Sequence, residues 1–173
     1  FSFVTVEPDG EQTLYDTDVP PCVGLIGKLF KDKANPEVNR HTESVVKKFA
    51  AAGATVKELQ VSIDFDAVLD AHRVIMSTEA AASHKVNFTA RPNDYSPKVR
   101  ELINKGLSTT ADTYAQAISL GRNFQQGLED VFKQVDVVLT PSTPSPAPGD
   151  LTTTGDPIFQ ASWTMCRLPT ITL

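Results

Sequence analysis

Two hydroxyl side chains near the end of the chain stand where an α/β protein would hydrogen-bond a ligand. Residues 136–139 are short and apolar enough to predict a buried strand, and Thr140 and Ser142 follow it directly. Ligands of open α/β sheets bind beyond the carboxyl ends of the strands, and Pro141 stiffens the backbone between the two hydroxyl groups. These residues predict a preformed pocket wall. A rigid structural connector is the alternative that the same residues allow.

Trp163 and Thr164 form a second pair of candidate pocket residues. They lie on a short helix predicted between the proline-rich loop 141–157 and a final strand bounded by Pro169. A large aromatic side chain at such a position belongs to the core more often than to a pocket. The residues by themselves therefore leave both roles open for Trp163.

No catalytic nucleophile can be assigned from the sequence. The G-x-S-x-G motif is absent, and Ser44 with Lys47 matches S-x-x-K without its S-D-N and K-T-G partner motifs. Both residues fall on the polar side of an amphipathic helix, which predicts solvated surface. His41, His72 and His84 are not paired with Cys or with another His at metal-ligand spacing, and neither a metal site nor a cofactor is predicted.

The composition argues for a cytoplasmic protein that binds neither nucleic acid nor membranes. The chain has 173 residues and a net charge of −5, with 16 scattered basic residues, whereas nucleic-acid surfaces need clustered Lys and Arg. No apolar run approaches the roughly 18 residues of a membrane helix, and the first residues lack the pattern of a signal peptide. Cys22 and Cys166 form no C-x-x-C pair and are expected to be reduced thiols.

A strand–helix–strand unit is predicted in the first third of the chain. Residues 22–30 form a short apolar run that is typical of a buried strand. Asn35 and Pro36 are residue types that start helices, and Gly53 is the type that closes them. Residues 55–61 have the pattern of the next strand. Such a unit is most naturally a parallel pair with a right-handed crossover.

Three helices are predicted in the middle of the chain. The first follows Asp64, which is expected to cap it, and runs for about six turns. The second opens at Ser96-Pro97 and is expected to stop at Gly106, and the third spans residues 109–134.

Together these elements predict a single domain over residues 1–173. Its class is α/β, a three-layer α/β/α arrangement with a mixed, mainly parallel sheet, because apolar strands alternate with amphipathic helices. The strands at 22–30 and 136–139 are expected to be near each other in that sheet. Residues 1–19 are expected to form a peripheral hairpin or linker.

Several segments, in this order, resemble the amidase signature family. The first are CVGLIGKLF and the NPEV and KFAAAGATVKEL segments after it, which are similar to a strand, helix, turn and strand of that family. The others are SPKVRELINKGLSTTADTYAQAISLGRNF, DVVLTPSTPSPAP and FQASWTMCRLPTITL. The resemblance covers nearly the whole chain from about Pro20, and it implies the family's fold in incomplete form.

The resemblance implies an amidase that hydrolyses carboxamide C–N bonds without a cofactor. The family uses a Ser–cis-Ser–Lys triad and an oxyanion hole in a Gly/Ser-rich loop, all upstream of segments like these. This sequence has no Ser-Ser pair, so no catalytic residue can be carried over, and the chain is expected to be an inactive C-terminal portion. Thr140, Pro141, Ser142, Trp163 and Thr164 carry over as substrate-pocket positions.

The expected partners are a small-molecule amide substrate and the missing N-terminal half of the same polypeptide, with a homodimer as a further candidate. Two other functions are compatible with this fold: a non-catalytic binding or assembly module, and part of the amidase-like subunit of a tRNA-dependent amidotransferase. Trp163-Thr164 replaces the N-l-a-G-l-P version of this segment, which favours the hydrolase over the amidotransferase. Arg167 stands where a glycine is common in the family.

Overall fold

The computed structural model describes residues 3–6, 12–15, 19–60, 64–150 and 152–172. Its strands are β1 (Phe3–Val6), β2 (Gln12–Tyr15), β3 (Cys22–Leu25), β4 (Thr55–Glu58) and β5 (Val137–Leu139). Its α-helices are α1 (Gly27–Lys33), α2 (Pro36–Ala51), α3 (Phe65–Ala90), α4 (Pro97–Leu107), α5 (Ala111–Phe132) and α6 (Ile158–Met165). A 3-10 turn, Pro92–Asp94, connects α3 with α4.

A parallel sheet with the strand order β4-β3-β5 organises the fold. Val23 in the central strand lies opposite Val56 of β4 and Val137 of β5. The α/β class is therefore confirmed, as is the expectation that the strands near Cys22 and Asp136 share a mainly parallel sheet. β1 and β2 form a separate antiparallel pair, as expected of a hairpin, and residues 7–11 between them lie outside the described residues.

The amino ends of β3 and β5 are tied together by backbone groups and one carboxylate. The backbone N–H of Cys22 donates to Oδ2 of Asp136 at 2.7 Å, and the backbone N–H of Asp136 donates to the carbonyl of Cys22 at 2.9 Å. Lys57 of β4 donates from Nζ to the carbonyl of Gln134 at 3.1 Å. These bonds extend the pairing beyond the three-residue β5 and fix its register.

The helix starts follow the capping residues that the sequence contains. The side chain of Asn35 accepts a hydrogen bond from the backbone N–H of Val38 at the start of α2, and Asp64 accepts one from Ala67 at the start of α3. Side-chain oxygens at these positions satisfy backbone donors that have no partner inside the helix. Both caps confirm the sequence prediction.

The strand predicted over residues 22–30 is only partly correct, because it ends at Leu25 and α1 begins at Gly27. A short apolar run fits a buried strand and a buried helix equally well. The helical turn brings Phe30 into the core, where its ring lies 5.8 Å from the ring of Phe65 and 4.9 Å from that of Phe159.

Two further predictions are wrong. Gly106 does not end α4; it lies inside the helix, which continues to Leu107, and it is buried against α3. The final strand around Pro169 is also not formed, since residues 168–172 make no strand and Ile171 is 84% exposed.

The core gathers side chains from α1, α3, α5 and α6. Its buried members are Ile26, Phe30, Phe65, Val68, Phe124, Leu128, Val131, Val135, Phe159, Trp163 and Cys166. Met76 of α3 and Phe132 of α5 are large apolar residues outside this core, 43% and 40% exposed. None of the described helices is both long enough and apolar enough to cross a membrane.

Candidate functional site

Thr140, Pro141 and Ser142 follow the carboxyl end of β5 and are half-buried. This edge of the sheet is where parallel strands leave space for a ligand. The hydroxyl groups of Thr140 and Ser142 can each donate one hydrogen bond and accept others. The segment is placed as the sequence predicts, directly beyond a strand end.

Contacts from two other elements hold the loop after β5. The side-chain amide of Gln160 in α6 donates to the backbone carbonyl of Ser142 at 3.2 Å. The backbone N–H of Asn35, at the start of α2, donates to the carbonyl of Pro144 at 2.8 Å. Within the loop, the hydroxyl of Thr143 donates to the carbonyl of Ser145 at 2.7 Å. The loop is thus fixed by hydrogen bonds as well as by its prolines.

The residues after α6 return to the same loop. The hydroxyl oxygens of Ser142 and Thr172 lie 3.4 Å apart, and either group can be the donor. The loop after β5, helix α6 and the segment 168–172 therefore meet at Ser142.

Trp163 and Thr164 lie on different sides of α6. Trp163 is only 5% exposed, and its ring stacks on that of Phe30, with centroids 5.9 Å apart and an angle of 11° between the planes. Thr164 is exposed. The structure thus brings Thr140–Ser142 and α6 together through Gln160 and places Trp163 in the core. The pocket role of these residues stays a prediction.

Helix α6 ends in a left-handed turn built on Arg167. The backbone N–H of Leu168 donates to the carbonyl of Trp163, and that of Arg167 donates to the carbonyl of Thr164, which is the Schellman pattern. Arg167 has φ = 57°, a conformation that costs a residue with a Cβ about 1–2 kcal/mol. Glycine is the usual residue here, which agrees with the glycine common at this position in the family that the sequence resembles.

Four described side chains carry groups that could act as nucleophiles or bases. Burial raises the pKa of the Cys166 thiol to about 11, so it is neutral near pH 7. Burial, and to a lesser degree the charge of Arg73, lowers the pKa of His72. Ser44 and Lys47 are both exposed on α2, as predicted for solvated surface.

A cavity of about 330 Å³ lies elsewhere, along the end of α5. It is lined by Gln125, Leu128, Glu129, Phe132, Lys133 and Leu168. None of the predicted pocket residues lines it, and the sequence analysis missed it. The available signal was Phe132, an aromatic residue on the apolar stripe of α5 that the described core does not cover.

Comparison with known proteins connects this chain to one family. The family model for amidases matches residues 2–169. The chain is 27% identical over 124 residues to an amidase of Pseudomonas putida, covering 72% of this chain and 26% of that protein. It is 29% identical over 149 residues to a glutamyl-tRNA(Gln) amidotransferase subunit of Saccharophagus degradans, covering 72% of this chain and 31% of that protein.

Solved structures share the fold. One crystal structure of an amidase superposes with a TM-score of 0.78 at 22% identity, covering 86% of this chain and 36% of the other. A bacterial aryl acylamidase of the amidase signature family superposes with a TM-score of 0.58 at 13% identity, covering 86% of this chain and 34% of the other. The chain spans about a quarter to a third of the length of the curated relatives it matches.

Proposed function

The chain belongs to the amidase family, and on that premise we propose that it forms one wall of the substrate pocket of an enzyme that hydrolyses carboxamide C–N bonds. The observation that carries the proposal is the fixed loop beyond β5, where Gln160 and Asn35 hold the backbone beside Thr140 and Ser142. A rigid loop loses little conformational entropy when a ligand binds to it. Such a loop suits a preformed pocket.

The catalytic residues of this proposal lie outside the chain. Amide hydrolysis in this proposal uses a nucleophilic serine, a second serine in a cis peptide and a lysine base, with backbone N–H groups stabilising the oxyanion. The absence of any Ser-Ser pair from the sequence supports catalytic serines that lie outside this chain. The limited share of each relative that the chain matches, 26% and 31% for the two curated proteins, is consistent with it.

Within this pocket, Thr140, Pro141, Ser142 and Thr164 contact the substrate. The threonine and serine hydroxyls supply hydrogen bonds that orient the amide, and Pro141 keeps its neighbours in place. Trp163 acts from the core: its stacking on Phe30 sets the position of the helix that carries Thr164.

The test compares this chain with the full-length polypeptide that contains it. We expect the full-length protein to release ammonia or aniline from simple alkyl or aryl amides, and the chain alone to release neither. Replacing each serine of the upstream Ser-Ser pair by alanine should abolish turnover. A full-length protein without amide hydrolysis, or activity of the chain alone that disappears when one of its own serines is replaced, would refute the proposal.

A second candidate function is that of an amidotransferase subunit. The resemblance to the glutamyl-tRNA(Gln) amidotransferase subunit of Saccharophagus degradans, at 29% identity, supports it. That subunit works with partner proteins, whereas a hydrolase that acts alone needs none. Activity on simple amides by the purified full-length protein favours the hydrolase, and activity that appears only with co-purified partner subunits favours the amidotransferase. A full-length protein that binds amides without cleaving them would instead be a binding module.

A further inference from the structure

Arg167 is the non-glycine residue with a positive φ among the described residues. Its side chain is exposed. Within the described part of the chain, no carboxylate lies within ion-pair distance of its guanidinium group, and no side-chain hydrogen bond of this group is formed. The backbone hydrogen bonds of this turn would form with glycine as well, so no described contact of the arginine side chain explains why arginine stands here.

The position of Arg167 links it to the proposed pocket wall. Its backbone N–H donates to the carbonyl of Thr164 at 3.1 Å, so the turn of Arg167 follows directly on the last turn of α6, which carries the exposed Thr164. The residues after it lead to Thr172, whose hydroxyl lies 3.4 Å from that of Ser142. Arg167 thus stands on the short connection between two parts of the wall.

We propose that Arg167 recognises a carboxylate on the amide substrate, so that the enzyme prefers amides that carry a second, anionic group. The inference rests on the proposed function and adds the substrate class. The guanidinium group is planar, permanently charged and able to bind a carboxylate through two parallel hydrogen bonds. Glycine would relieve the strained backbone but would remove this cation, and strained residues persist where a function requires them.

The competing explanation is an ion pair between Arg167 and a carboxylate elsewhere in the full-length polypeptide. Such a pair would stabilise the fold and would affect all substrates alike. Substrate recognition would instead change the ratio between charged and neutral substrates. The two explanations therefore predict different ratios of kcat/KM between anionic and neutral substrates when Arg167 is replaced.

The experiment uses the full-length enzyme and two pairs of amides matched in length, succinamate with butyramide and succinanilate with butyranilide. We expect the wild type to have the higher kcat/KM for the anionic member of each pair. In Arg167→Gln and Arg167→Gly the ratio of kcat/KM, anionic to neutral, should fall by about 10- to 100-fold, the range expected for a charge-assisted contact. Arg167→Lys, which keeps the charge but not the planar fork, should retain an intermediate ratio.

The matched control is Arg40→Gln, which removes another exposed arginine, on α2, and should leave the ratio unchanged. Thermal unfolding of the same variants separates effects on stability from effects on substrate recognition. Arg167→Gly should unfold at the same temperature as the wild type or at a higher one. An enzyme that hydrolyses the neutral amides with no preference for the anionic ones overturns the inference and leaves the proposed function standing. An equal loss of kcat/KM on anionic and neutral amides in the Arg167 variants, together with a lower unfolding temperature, also overturns the inference. Hydrolysis of neither pair refutes the proposed function and the inference together.

Discussion

Gly106 of α4 packs directly against the backbone carbonyl group of Ser77 in α3. A Cβ atom added to Gly106 would overlap the carbonyl oxygen of Ser77 and lie 2.5 Å from its carbon. Ser77 itself is fully buried, and its hydroxyl donates to the carbonyl of Val74. The two helices approach this closely only because position 106 has no side chain.

We therefore expect Gly106→Ala to destabilise the protein. The added methyl group must push α3 and α4 apart, and overpacking of this kind costs about 1–3 kcal/mol of the free energy of unfolding. The measurement is urea denaturation followed by circular dichroism. Gly121→Ala in α5 is the matched control, because its nearest neighbours are atoms of Met165 at 3.6 Å. It should be neutral or stabilising by up to about 1 kcal/mol through helix propensity. Equal changes in the free energy of unfolding for Gly106→Ala and Gly121→Ala would contradict the close approach of α3 and α4.

Trp163→Ala should act mainly on stability. Trp163 is buried in the core and stacks on Phe30, so the truncation should cost about 3–5 kcal/mol. Trp163→Phe keeps an aromatic ring there and should cost clearly less. The free energy of unfolding of both variants checks this. If Trp163→Ala unfolds like the wild type while substrate affinity falls, the indole contacts substrate rather than the core.

Cys166 should make stability depend on pH in the alkaline range. Burial raises the pKa of its thiol from 9.0 to about 11, so the unfolded chain loses this proton at lower pH than the folded chain. The contribution of the neutral thiol to the free energy of unfolding is therefore complete below about pH 9. It decreases by about 2–3 kcal/mol in total as the pH rises towards 11. The difference in unfolding free energy between wild type and Cys166→Ala, measured under reducing conditions from pH 8 to 11, should shrink by this amount. A constant difference would contradict it.

Gln160→Ala should loosen the proposed pocket wall. Its amide holds the carbonyl of Ser142, and one such hydrogen bond is worth about 1 kcal/mol, or roughly a fivefold rise in KM if the wall orients substrate. Gln126→Ala, on the exposed side of α5, is the control and should leave KM unchanged. The KM and kcat of the full-length variants on simple amides test this prediction. A lower kcat with an unaltered KM would contradict a wall that binds substrate.

Local chemistry made the helix starts and the sheet partners predictable. Asn35 and Asp64 cap helices because their side-chain oxygens accept hydrogen bonds from the next turn, and this depends on three or four adjacent residues. The pairing of the strands near Val23 and Val137 follows from apolar runs joined by helices.

The features that the sequence did not predict depend on distant neighbours. Gly53 ends α2 with φ = 93°, whereas Gly106 allows two helices to touch, and the residue type alone does not distinguish these uses. Phe30 lies on a helix instead of a strand because its ring meets Phe159 and Trp163, far along the chain. The cavity beside Phe132 likewise arises from packing between α5 and the segment after α6.

The bonds between Cys22 and Asp136 also bear on how the chain is made. They join residues 114 positions apart in the chain, and closing so long a loop has a large entropic cost before any contact offsets it. On the ribosome, β3 emerges well before its partner β5, and the α3–α4 pair can form in the interval because its contacts are local. Helical pairing can therefore precede completion of the sheet, and proteins dominated by such distant pairings fold slowly.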